Sequence, residues 1–183
     1  MAKLKLAVVV GSNRRDSINR KLAEALIKLG GDAFEATLVR IDDLPLYNQD
    51  LEASWPETAA RLKREIEAAD AILMVTPEHN RAIPAVLKNA IDWASRPYGK
   101  NSWAGKPVAV TGTSGGTVGT AVAQQQLRMI MTNLAGVVLG GQVFITFKDD
   151  LIDASHDITN EGTRAFLKGF VEQFAAVAAK LAR

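Results

Sequence analysis

Short apolar runs alternate with amphipathic stretches five times along this 183-residue chain, and few architectures accommodate that rhythm. The first run, LKLAVVV at residues 4–10, is short, apolar apart from Lys5 and β-branched in its second half, as expected of a strand covered on both faces. Further strands are predicted over 34–41, 71–75, 107–113 and 137–147. A helical pattern follows each strand. The first helix carries Ile18, Leu22, Ala25, Leu26 and Leu29, with Ser17 as N-cap and Gly30-Gly31 as its stop. The second opens on the capping box Ser54-Trp55-Pro56-Glu57, with Pro56 in the first turn, and runs to about Ala69. The others are predicted over 83–94, with Pro84 in the first turn, over 118–134, and over 160–181, where Phe166, Leu167, Phe170, Phe174, Val177 and Leu181 mark an apolar stripe. Regular β-α alternation implies a five-stranded parallel sheet with helices on both faces and right-handed crossovers. The length suits one domain over 1–183, and the polar stretch 149–157 is too short to divide it.

Composition narrows the chemistry. The chain has no cysteine, which rules out disulfides, thiolate metal sites, iron–sulfur clusters and a cysteine nucleophile. Its two histidines, His79 and His156, have no metal-binding spacing, so no metal is expected. A net charge of +2 with Lys and Arg dispersed argues against nucleic acid. The early apolar run at 6–10 is far too short for a signal core or a membrane span, so a cytoplasmic protein without membrane contact is expected. Redox chemistry in such a chain would need an organic cofactor.

Open parallel sheets bind ligands beyond the carboxyl ends of their strands, where the strand order reverses. Three loops lie there, after the first, third and fourth strands. Gly11-Ser12-Asn13-Arg14-Arg15-Asp16-Ser17-Ile18-Asn19 ends at a helix start, whose free N–H groups and dipole attract phosphate, though the same residues also make an ordinary capping turn. It matches neither G-x-x-x-x-G-K-[ST] nor G-x-G-x-x-G, which argues against a P-loop NTPase and a dinucleotide Rossmann domain. The third-strand loop, Thr76-Pro77-Glu78-His79-Asn80-Arg81-Ala82-Ile83-Pro84, is stiffened by prolines and can present backbone groups to the edge of a flat heterocycle, or act simply as a connector. The fourth, residues 112–119, is glycine-rich and permits close backbone approach.

The stretches GSNRRDSINRKLA from Gly11, TPEHNRAIPAVLKNAIDWASRP from Thr76 and GTSGG from Gly112 together resemble the NADPH-dependent FMN reductase family, which includes quinone, chromate and azo-dye reductases. The resemblance implies a flavodoxin-like sheet of order 2-1-3-4-5 and FMN as cofactor, with NADPH or NADH as co-substrate. Ser12, Arg14, Ser17, Ile18 and Asn19 would hold the FMN phosphate. Pro77, Glu78, His79, Asn80 and Arg81 would run along the isoalloxazine ring, and Ser114, Gly115 and Gly116 would flank it. The implied reaction is a ping-pong hydride transfer to a small acceptor, with no side chain needed as a catalytic acid or nucleophile. Lys88 and Asp92, four apart on a helix, read as an ion pair. The resemblance also implies a homodimer or homotetramer, with Trp93, Trp103 and Arg128 as candidate contacts. The chain departs from the family where members commonly carry tyrosine and it has His79, and where serine is frequent and it has Ala82. Imidazole titrates near neutral pH and phenol does not, so an altered pH profile or acceptor preference is expected. Two other readings use the same helix start: a flavodoxin-type electron carrier, although such carriers are usually strongly acidic, and a phosphate-binding module without flavin.

Overall fold

The computed structural model describes residues 2–182 and sets β1 (Leu4–Val10) inside one parallel sheet. On one side β1 pairs with β2 (Phe34–Val39), from Leu4↔Phe34 to Val9↔Val39. On the other it pairs with β3 (Ala71–Val75), from Leu6↔Ala71 to Val10↔Val75. β4 (Pro107–Ser114) follows β3, and the order β2-β1-β3-β4-β5 is the flavodoxin-like one, as the β-α alternation and the resemblance led us to expect.

Alternate residues of each strand enter two separate cores. Leu6, Val8 and Val10 face α1 (Ile18–Gly30) and α5 (Glu161–Leu181), where Leu22, Leu26, Phe170 and Phe174 close the layer. Ala7 and Val9 face α2 (Glu57–Ala68), α3 (Ala85–Ala94) and α4 (Ala121–Asn133), which bury Leu62, Ile66, Leu87, Ile91 and Leu127. All five residues of β3 are buried, so a polar side chain at any of them would lose its water without a waiting partner. No helix among the described residues is long and apolar enough to cross a membrane.

Local chemistry sets the helix ends. The Ser17 hydroxyl accepts from Arg20 N–H at 3.2 Å and opens α1, and Gly31, at φ 47°, ends it in a backbone region that side chains avoid. Asn160 caps α5 in the same way by accepting from Thr163 N–H at 2.8 Å. The expected capping box at 54–57 does not form. Ser54 closes a short 3-10 turn (Gln49–Ser54), and Pro56 takes the cap position of α2 without a side-chain bond. Pro84 likewise caps α3 from outside the helix. α4 begins at Ala121, three residues later than its apolar pattern suggested, because Gly116 to Thr120 form a turn first.

The fifth strand is also corrected. Residues 137–147 are not continuous: β5 (Val137–Val138) pairs with Val108 and its neighbour, β6 (Phe144–Thr146) pairs with Gly112 to Ser114, and Gly140-Gly141 loops out between them. Gly141 sits at φ 82°, which breaks the extended path. Side chains stand in for the missing ladder: Arg128 Nη1 donates to Leu139 O at 2.6 Å, and Thr111 Oγ1 and Gln124 Nε2 donate to Val143 O at 3.0 Å each.

Trp93 and Trp103, expected as subunit contacts, are wholly buried in the α2–α4 core. Their indole N–H groups donate to Pro45 O at 2.7 Å and Ile91 O at 3.1 Å, so both are packing residues. Arg128 is occupied by the broken strand, and the loss of water around it lowers its pKa. The expected Lys88–Asp92 ion pair is present at 2.7 Å.

Candidate functional site

Beyond the carboxyl ends of β1, β3 and β4, the three loops singled out in the sequence are fastened to one another. Gly11 N–H donates to Val75 O at 2.9 Å, joining the end of β1 to that of β3. Thr76 N–H donates to Thr111 O at 2.9 Å and carries the ladder into the third loop. There Gly112 lets β4 pass so close that a Cβ would overlap the Thr76 carbonyl oxygen.

Two side chains complete the frame. Asn19 is buried, and its carboxamide spans to β4: Nδ2 donates to Thr113 O and Oδ1 accepts from Thr113 N–H, both at 2.9 Å. The first turn of α1 is thereby locked onto the strand leading to the fourth loop. Glu78, with its side chain 9% exposed, reaches the start of α4, where Oε2 accepts from Val122 N–H at 3.0 Å and Ala123 N–H at 3.1 Å. This carboxylate caps a helix whose own cap residue, Thr120, accepts from no backbone N–H of the first turn through its side chain. Arg81 Nη1 donates to the other oxygen of Glu78 at 3.1 Å.

The first loop presents a helix start with donors to offer. Ser17 Oγ takes only Arg20 N–H, and the N–H groups of Ile18 and Asn19 have no intrahelical acceptor. Ser12 is half-buried beside them and Arg14 is exposed, with Arg14 N–H donating to Ser12 Oγ at 3.4 Å. In the third loop, His79 and Ala82 exchange both backbone hydrogen bonds at 3.0 Å, so Asn80 and Arg81 form the tip of a tight turn at φ 51° and 63°. Pro77 precedes this turn, half-buried. In the fourth, Ser114 Oγ donates to Gly119 O at 2.7 Å and accepts from Gly116 N–H at 3.3 Å. A Cβ at Gly115 would meet nothing within 4 Å, so that backbone borders open space rather than packing.

The site residues read from the sequence therefore divide. Ser12, Arg14, the turn 79–81 and Gly115 with Gly116 are half-buried or exposed on the three loops, while Ser17 and Asn19 are buried at the start of α1. The side chains of Asn19 and Glu78 are committed to the frame instead of facing a ligand. The sequence reading missed Thr113, the partner of Asn19, and Gln126, whose Oε1 accepts from Ile83 N–H at 2.8 Å and anchors the end of the third loop. Both bonds join residues distant in the chain, which spacing alone does not reveal. The arrangement suits a phosphorylated planar group: main-chain donors and a guanidinium at one end, and a rigid backbone edge facing an open glycine turn at the other. An FMN molecule fits that description.

Residues 4–150 match the family model for NADPH-dependent FMN reductases. A 2-hydroxy-1,4-benzoquinone reductase from Burkholderia sp is 48% identical over 174 residues, covering 94% of this chain and 95% of its own. A quinone reductase from Pseudomonas putida is 45% identical, covering 93% of this chain and 92% of its own. Among solved structures, the flavoenzyme NAD(P)H:(acceptor) oxidoreductase FerB from Paracoccus denitrificans superposes with a TM-score of 0.94 at 46% identity, over 97% of this chain and 98% of that one.

Proposed function

Because the chain belongs to the NADPH-dependent FMN reductase family, we infer that it is an FMN-dependent NAD(P)H oxidoreductase that reduces quinones and similar small acceptors. The observation that carries this reading is the mutual locking of the three loops through Asn19 and Glu78, which fixes donors and backbone edge before any ligand arrives. FMN, when bound, supplies the two-electron chemistry that these side chains lack.

The residues would divide the work as follows. Ser12, Arg14 and Ser17, with the N–H groups of Ile18 and Asn19, hold the phosphate. Charge-assisted bonds and the dipole of α1 favour it there. Pro77, Glu78, His79, Asn80 and Arg81 offer backbone groups to the polar edge of the ring, and Ser114, Gly115 and Gly116 border its far side. The open space at Gly115 admits the nicotinamide and then the acceptor in turn. A smaller oxidant such as chromate, or an azo compound, fits the same open position. The cytoplasm, which holds pools of both NADH and NADPH, is the compartment we propose for it.

For self-association we propose the outer face of α4 and the groove of about 370 Å³ that it forms with α3. Val122 and Met129 are exposed there, with Val118 just before the helix. That face suits a homodimer, and pairing of two dimers gives a homotetramer.

The test is anaerobic. FMN-loaded protein is mixed with NADPH or NADH, and the visible flavin absorbance is expected to bleach and to return on adding a quinone. Flavin that stays oxidised with both nucleotides would leave only an electron carrier, and protein that takes up no FMN would leave neither.

A further inference from the structure

Beside the first loop lies a cleft of about 430 Å³ between the carboxyl ends of β1 and β2, bordered on one side by Ser12 and Arg14 of the phosphate site proposed above. Its floor is apolar, from Val10, Leu38 and Ile41. Its rim carries Arg14, Arg15, Arg20 and Arg40, against Asp42 as the one carboxylate of the lining. Arg14 and Arg15 make no ion pair among the described residues. Arg20 and Arg40 are held by acids, but through Nε: Arg20 to Glu24 at 3.1 Å, and Arg40 to Asp42 at 2.7 Å and Asp43 at 3.6 Å. Such pairing fixes each guanidinium and leaves its terminal nitrogens to donate elsewhere.

An apolar floor under a cationic rim matches a nucleoside phosphate, since the base lies on the floor and the phosphate dianion takes paired N–H donors from arginine. The cleft shares its first loop with the site described above but opens towards β2, so it can take the far end of a long co-substrate. We propose that this cleft binds the 2′-phosphorylated adenosine end of NADPH and makes the enzyme prefer NADPH over NADH, which carries a neutral hydroxyl at that position. The proposal rests on the oxidoreductase reading, yet its ligand can be tested without flavin. Arg15 and Arg40 are the residues to change, because neither is assigned to the FMN site.

Calorimetric titration should show adenosine 2′,5′-bisphosphate binding about tenfold or more tightly than adenosine 5′-monophosphate. The double substitution Arg15→Gln/Arg40→Gln should erase that difference. In steady-state assays the same variant should lower the ratio of kcat/KM for NADPH to that for NADH by about tenfold, while FMN affinity stays as in the parent. Equal binding of the two adenosine probes, or an unchanged ratio, overturns the proposal. So does inorganic phosphate binding as tightly as the bisphosphate, which makes the cleft a free-phosphate site. A parallel loss of FMN affinity also overturns it, because the arginines would then serve the flavin's own phosphate. Failure of both nucleotides to bleach the flavin while the bisphosphate preference persists would remove the oxidoreductase reading and keep the nucleotide cleft.

Discussion

Asn19 bonds both the N–H and the C=O of Thr113 from one carboxamide. Replacing it with leucine leaves a buried N–H and a buried C=O without partners. We expect Asn19→Leu to lower unfolding stability by about 2–3 kcal/mol, read from urea denaturation, and to weaken FMN uptake because α1 is no longer fixed against β4. A variant as stable as the parent would show that water or a neighbour satisfies Thr113. Asn80 and Arg81 carry a different burden, since each adopts a left-handed backbone that costs a non-glycine residue on the order of 1 kcal/mol. The reciprocal bonds of His79 with Ala82 and the Glu78–Arg81 pair hold the turn in that shape. His79 itself is exposed beside this tip and makes only main-chain bonds.

The C-terminal end of α4 shows the same strain at an element boundary. Gly136 N–H donates to Met131 O at 2.9 Å and Ala135 N–H to Thr132 O at 3.0 Å, the double closure that usually places glycine at the left-handed position. Here Ala135 occupies it at φ 58°. Ala135→Gly should therefore raise stability by about 0.5–1 kcal/mol, visible as a higher thermal midpoint, with FMN binding unaffected. A lower midpoint would mean that the methyl group's packing outweighs the strain. Elements of this kind were legible in the sequence to different degrees. β3 was plain because a run buried on both faces leaves no polar interruption, β1 was nearly so with only the exposed Lys5 breaking it, and Ser17 marked the start of α1 by its own hydroxyl. The broken β5–β6 edge was hidden: its apolar pattern continues through Gly140-Gly141, and only Arg128, Thr111 and Gln124, from other elements, show that the ladder is bridged. The capping box at 54–57 misled for a related reason, as the 3-10 turn through Ser54 takes that residue away from α2. In the candidate site, the residue types of all three loops pointed to one sheet edge, where Gly11 is bonded to Val75 and Thr76 to Thr111. The inward turn of Asn19 and Glu78 depended on partners far along the chain.

At the scale of the whole molecule, Met129 is 66% exposed on the outer face of α4, with Val122 and Val118 also exposed along that helix and its approach. If that face joins two copies, Met129→Glu should shift the protein to a smaller species in sedimentation velocity while leaving its circular dichroism unchanged. An unaltered sedimentation coefficient would move the contact elsewhere. The edge of the sheet beside β4, next to α4, shows a different device. A long unbroken outer strand presents a row of unanswered amides and carbonyls to any passing chain. Beside β4 this molecule offers only two short segments with a bulging glycine pair between them, whose inner carbonyls are already claimed by side chains. A stranger's strand would find its register interrupted after two or three residues, so this edge is a poor template for fibril-like stacking.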